Sequence, residues 1–219
     1  MLNWSEIDTV LLDMDGTLLD LHFDNQFWLE HIPKRYAERH QLTAEAAQAQ
    51  LTEAFAAVAG TLDWYCLDYW QRELQLPIMT LKRELQHLIR MRDDVPEFLT
   101  ALRANKKHIV LVTNAHPNSL SLKLERTELE QYCDAMVSTH QFGASKESLR
   151  LWDRLQSYIG FDPQRTLFID DSLRILQTAQ QFGIRQCLCV ANPDSQRPVQ
   201  QVTGFPSIEH YHELLKDLA

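Results

Sequence analysis

Asp13-Met14-Asp15-Gly16-Thr17-Leu18 closes the first β-rich run of the chain, Thr9 to Asp13, and constrains it more than any other segment. Two carboxylates one residue apart in extended backbone project the same way. A glycine directly after them lets the chain turn and brings backbone close to a ligand. That geometry suits one metal ion and one anion, and it predicts a site at a strand end.

Four further runs read as short strands: His108 to Thr113, Ala135 to Thr139, Thr166 to Asp170 and Gln186 to Val190. They are near-continuously apolar and alternate with helical patterns, which predicts a parallel sheet covered on both faces, a doubly wound α/β core. The expected core helices are Pro96 to Asn105, Pro117 to Glu130, Lys146 to Ile159 and Leu173 to Phe182, the last stopped by Gly183. A turn at Asn192-Pro193-Asp194 precedes a short helix expected from Ser207.

Residues 14–107, 94 in all, separate the first two strand runs, whereas later runs start within about 30 residues of one another. The stretch from Leu18 to Arg92 holds no convincing strand and reads as helices: Asn25 to Arg39, Thr43 to Ala59, Leu62 to Leu74 and Met79 to Leu88. It is expected to be an inserted helical cap domain (18–92) on a core of 1–17 and 93–219. Most Lys and Arg residues of the insert, with Glu45 and Glu53, are expected on solvated faces. Trp64, Tyr65, Tyr69 and Trp70 read first as its core, with stacking on a ligand as the alternative.

Composition narrows the partners. Lys+Arg 21 against Asp+Glu 30 gives a net charge of −9, which argues against a nucleic-acid polymer as partner. No apolar stretch approaches the roughly 18 residues of a membrane span, so no membrane partner is expected. A cleaved leader of about 15 to 30 residues would carry Asp13 away, and a cytoplasmic location is the expectation. The four cysteines lack zinc-ligand spacing and read as reduced thiols, with Cys187 and Cys189 as buried filler on one side of a strand.

Sites in open parallel sheets lie beyond the carboxyl ends of strands. Thr113-Asn114, Lys146 and Asp170-Asp171 occupy matching positions after the second, third and fourth runs, so four strand ends converge with Asp13 and Asp15 on one crevice. DxDGT, a strand-end Thr, a Lys and DD after an apolar strand, with a long helical insert after the first motif, resemble the haloacid dehalogenase superfamily and its Rossmann-like core. Two departures stand out: Glu147 where many relatives have proline, and Ser172-Leu173-Arg174-Ile175 instead of a glycine-containing pattern. Neither is expected to touch a catalytic group. LHFDNQFWLEHIP, TLDWYCLDYW and TNAHPNSLSLKLERTEL resemble the bacterial GMP/IMP nucleotidase group within that superfamily.

The resemblance implies a Mg²⁺-dependent phosphomonoesterase acting on a small phosphate ester, a purine nucleoside monophosphate in the finer match. It implies Asp13 as nucleophile, Asp15 as general acid and base, and Thr113, Asn114 and Lys146 as phosphate-binding residues. It further implies a metal site of Asp13, Asp15 through its backbone carbonyl, Asp170 and Asp171. The alternatives are a phosphatase or phosphomutase for phosphoglycolate or a sugar phosphate, a haloacid dehalogenase, and a non-catalytic binding module on the same fold.

Overall fold

The computed structural model describes residues 2–218. Six strands, β1 (Thr9–Leu12), β2 (His108–Thr113), β3 (Ala135–Ser138), β4 (Thr166–Asp170), β5 (Gln186–Val190) and β6 (Ser207–Ile208), form one sheet in the order β3-β2-β1-β4-β5-β6. Every pairing is parallel, with Thr9 opposite both His108 and Thr166. Residues 9–12 and 166–170 are buried throughout, as a sheet covered on both faces requires. One apolar layer gathers Val10, Leu12, Phe98, Leu102 and Tyr211, and the opposite layer gathers Leu11, Val110, Trp152, Phe168 and Leu176.

The helices follow local chemistry. Thr43 caps Ala44–Val58 by accepting from the Ala46 N–H at 3.2 Å. Gly183, with φ +116°, ends Leu173–Phe182 in the left-handed conformation expected of it. Pro33 cannot donate to the carbonyl four residues back, and the turn before it, Phe27–His31, widens to π geometry. The helix expected over Leu62 to Leu74 breaks at Cys66, whose backbone is extended (φ −84°, ψ 111°).

Expectations fail at several element ends: the helix expected over Pro117 to Glu130 stops at Arg126, where Thr127 turns extended, and the one expected from Asn25 starts at His22. The tail does not start a helix at Ser207: Ser207–Ile208 is the edge strand β6 beside β5, and the helix is His212–Leu218. A two-residue strand carries too little pattern to be told from a helix start. Lys146 likewise precedes its helix, which runs Leu149–Ile159 and leaves Lys146 in the approach turn.

The chain leaves β1 and returns to the segment before β2 along paired backbones. Asp20 N–H donates to Arg90 C=O at 3.1 Å and Arg92 N–H to Leu18 C=O at 3.0 Å, while Leu19 bridges Met91 antiparallel. The helices between these crossings pack an apolar cluster of their own around Phe27, Leu51, Trp70, Leu74 and Ile78. Among the described residues no helix is long and apolar enough to cross a membrane.

Candidate active site

Strand order reverses around β1, with β2 on one side and β4 on the other, and the crevice opens beyond their carboxyl ends. Asp13 follows β1, and its N–H donates to Ile169 C=O at 3.0 Å, which fixes it beside Asp170 at the end of β4. Gly16 turns the chain with φ +81°. A Cβ there would lie 2.6 Å from Asp171 Oδ2, so glycine is what lets Asp171 approach the first motif.

One ligand oxygen from each of Asp13, Asp170 and Asp171 lies within 4.8 Å of the other two. Lys146 Nζ donates to Asp13 Oδ1 and, at 2.7 Å, to Asp170 Oδ2. One ammonium thus faces three carboxylates. Burial, only partly offset by Lys146, pushes Asp13 up to about 6. Asp171 is raised well above the ordinary range, by burial and then by the charges of Asp170 and Asp13. Lys146 moves up, because the two carboxylates outweigh the effect of its burial. A buried excess of negative charge with oxygen donors only is the environment a hard divalent cation fits.

Thr113 Oγ1 accepts from the Ala115 N–H at 3.0 Å and lines the same cavity. The Asn114 side chain is held on three sides: its Oδ1 accepts from Lys146 N–H at 2.9 Å and from the Thr139 hydroxyl at 3.0 Å, and its Nδ2 donates to Glu147 Oε2 at 3.1 Å. All seven sequence-predicted residues, Asp13, Asp15, Thr113, Asn114, Lys146, Asp170 and Asp171, line one cavity of about 360 Å³.

The two departures from the family pattern are not inert. Glu147 touches Asn114, a phosphate-binding candidate, and its Oε1 accepts from the Tyr65 hydroxyl at 2.6 Å. The Arg174 guanidinium covers Gly60, where a Cβ would lie 2.5 Å from its Nη1. Both therefore contact the helical insert.

A second charged group escaped the sequence. Lys82 and Lys123 are each 1% exposed, so Lys82 is an exception to the solvated faces expected of most Lys and Arg residues of the insert. Asp24 Oδ1 accepts from Lys82 at 3.0 Å and its Oδ2 from Lys123 at 2.6 Å, and Lys123 Nζ lies 2.6 Å from Asp15 Oδ1. Burial alone would raise Asp24, but the two ammonium groups outweigh it and lower the carboxyl to about 2. Burial pushes Asp15 up to about 6 against the pull of Lys123. Only the fold could reveal this chain, since isolated Asp and Lys in polar surroundings carry no pattern of their own.

Asp24→Ala takes from buried Lys82 the carboxylate it pairs with and leaves Lys123 with Asp15 alone. The expected stability loss is about 3–5 kcal/mol, the range for breaking a buried ion pair, read from the urea unfolding midpoint. A loss below about 1 kcal/mol would mean that water reaches both ammonium groups.

Trp28, Leu29, Phe55, Trp64, Tyr65 and Trp70 give the same cavity an aromatic and apolar wall. Trp70 is 1% exposed and stands edge-on to Phe55 and Trp64, so it belongs to the packed interior first. Tyr69 packs on Trp70 behind this wall.

A family model for haloacid dehalogenase-like hydrolases matches residues 7–183. The chain is similar to the GMP/IMP nucleotidase YrfG of Escherichia coli (strain K12), at 46% identity over 215 residues that cover 98% of this chain and 97% of that one. The protein of the same name from Shigella flexneri matches to the same extent. The fold of this chain is similar to that of a HAD phosphatase from Thermococcus onnurineus, with a TM-score of 0.78 at 20% identity over 97% of this chain and 98% of the other.

Proposed function

This chain belongs to the haloacid dehalogenase-like hydrolases, and from that premise we propose that it hydrolyses GMP and IMP to nucleoside and phosphate, with residues 18–92 as a cap over the catalytic core of 1–17 and 93–219. One observation carries this reading. The carboxylates and Lys146 line the same cavity as Trp28, Phe55, Trp64, Tyr65 and Trp70, so one cavity offers charged groups for a phosphoryl group and aromatic faces for a base.

Phosphate monoesters hydrolyse slowly because an anionic electrophile repels nucleophiles and an alkoxide leaves poorly. Asp13 attacks phosphorus and becomes an aspartyl-phosphate, which divides one hard step into two. Asp15 gives a proton to the leaving oxygen and then takes one from the water that hydrolyses the intermediate. Lys146 Nζ, already beside Asp13 and Asp170, turns toward the phosphoryl oxygens, and the Thr113 hydroxyl and Asn114 N–H hold the same group. Mg²⁺ suits the oxygen donors of Asp13, Asp170, Asp171 and the Asp15 carbonyl, and when bound it neutralises phosphoryl charge.

A haloacid dehalogenase needs no general acid for a halide and no cation-binding carboxylates, so Asp15 and Asp170 favour the phosphatase. Every core group proposed here meets only the phosphoryl group; discrimination between esters falls to the aromatic wall. The expected result is a higher kcat/KM for GMP and IMP than for pyrimidine nucleotides, phosphoglycolate or hexose phosphates, with phosphate release abolished by EDTA and restored by Mg²⁺. A clear preference for phosphoglycolate or a hexose phosphate would remove the nucleotidase and leave a phosphatase. Isomerised ester in place of free phosphate would make it a mutase.

A further inference from the structure

Cys66, His116 and His140 meet at the seam between the helical insert and the core, and no step of the hydrolysis uses them. Cys66 comes from the break between Leu62–Tyr65 and Leu67–Leu74, His116 from the turn after β2, and His140 from the 3₁₀ turn after β3. One ligand atom from each lies within 4.8 Å of the other two. The His116 and His140 rings stand edge to face at 5.1 Å. His140 Nε2 is buried with no hydrogen-bond partner among the described residues. Asp68, on the insert and exposed, places its Oδ2 3.6 Å from His116 Nε2.

We infer that Cys66, His116 and His140 form a binding site for a borderline-soft divalent cation of the zinc class, with Asp68 or water in the fourth position, and that an ion bound there ties the insert to the core. The donor set decides the class. A thiolate with two imidazoles selects zinc-like ions, whereas the carboxylates of the active site select hard ones. Tetrahedral zinc, with bonds of about 2.0–2.1 Å to nitrogen and 2.3 Å to sulfur, needs donors about 3.3–3.8 Å apart. Side-chain movements of about an ångström therefore close the site.

Binding has a stated proton balance. Cys66 releases its thiol proton to solvent as the S–metal bond forms. His140 binds through the unpartnered Nε2 and loses nothing. His116 Nδ1 now accepts from the Asn118 N–H at 3.2 Å. Ligation through His116 Nε2 moves the ring proton to Nδ1, and that N–H at the head of Pro117–Arg126 turns to water. His116 also lines the active-site cavity, so the ion would act at its mouth.

Cobalt(II) tests the site in the full chain, because a thiolate–cobalt bond gives a near-ultraviolet charge-transfer band that carboxylate ligation cannot. One equivalent of Co²⁺ should produce the band, and one equivalent of Zn²⁺ should remove it. Cys66→Ser should abolish the band and His140→Gln weaken it, while Asp170→Asn, which alters the carboxylate site, leaves it intact. With Mg²⁺ in excess, Zn²⁺ should lower kcat about tenfold, and Cys66→Ser, equally active without zinc, should escape. Absence of the band, or its persistence in Cys66→Ser through another cysteine, overturns the site. Equal zinc inhibition of both proteins overturns its hold on the cap.

Discussion

Asp13→Asn should lower phosphate release by about 10⁴- to 10⁶-fold, the scale for removing the nucleophile from a covalent mechanism. The amide keeps the shape of the carboxylate and can still accept from Lys146, but its oxygen is a poor nucleophile. The fold should survive. Asp13, Asp170 and Asp171 crowd three carboxylates around one ammonium, and Lys146 keeps its 2.7 Å bond to Asp170 in the variant. Removing one negative charge from this cluster relieves repulsion, so the melting temperature of the metal-free variant should equal or exceed that of the wild type. Substrate binding, measured calorimetrically with GMP and Mg²⁺, should persist. Phosphate release within tenfold of wild type would take the nucleophile role from Asp13. A variant that fails to bind GMP would instead make Asp13 essential to the binding site.

What the sequence made legible follows from how much of each signal is local. A parallel strand covered on both faces is a continuous apolar run whatever its neighbours are, so His108–Thr113, Thr166–Asp170 and Gln186–Val190 emerge with their ends intact. Leu173–Phe182 does as well, because Gly183 stops it through its own backbone freedom. The carboxylates after β1 and β4 were readable because strand ends in such a sheet share one edge. Residues whose roles depend on a distant partner were not readable. Lys82 and Lys123 look like surface charges until Asp24, at sequence separations of 58 and 99, meets both. Ser207–Ile208 is a strand only because β5 offers an open edge. Cys66 has no ligand spacing along the chain, and its two histidines arrive from turns after different strands. Glu147 and Arg174 could be marked as departures, but only their contacts with Tyr65 and Gly60 give them a place at the insert seam.

The general acid offers the other large effect, and it separates chemistry from binding. A nucleoside alkoxide is a poor leaving group and needs a proton as the P–O bond breaks, whereas a nitrophenolate leaves as a stable anion without one. If Asp15 supplies that proton, Asp15→Asn should lower kcat/KM for GMP by about 10²- to 10⁴-fold, the usual worth of acid–base help. For p-nitrophenyl phosphate the same ratio should fall by about tenfold or less. The comparison rests on kcat/KM because that ratio covers the steps through aspartyl-phosphate formation, before Asp15 acts as base on water. Loss of the base would slow the second step equally for both substrates and appear in kcat, with the phosphorylated enzyme accumulating as a burst of nitrophenolate. Lys123 retains Asp24 Oδ2 at 2.6 Å when Asp15 loses its charge, so the buried ion chain stays paired and the melting temperature should change little. An equal fall in kcat/KM for the two esters would deny Asp15 the acid role. It would point instead to lost alignment of the phosphoryl group, since Asp15 shares the turn of Gly16 with the nucleophile.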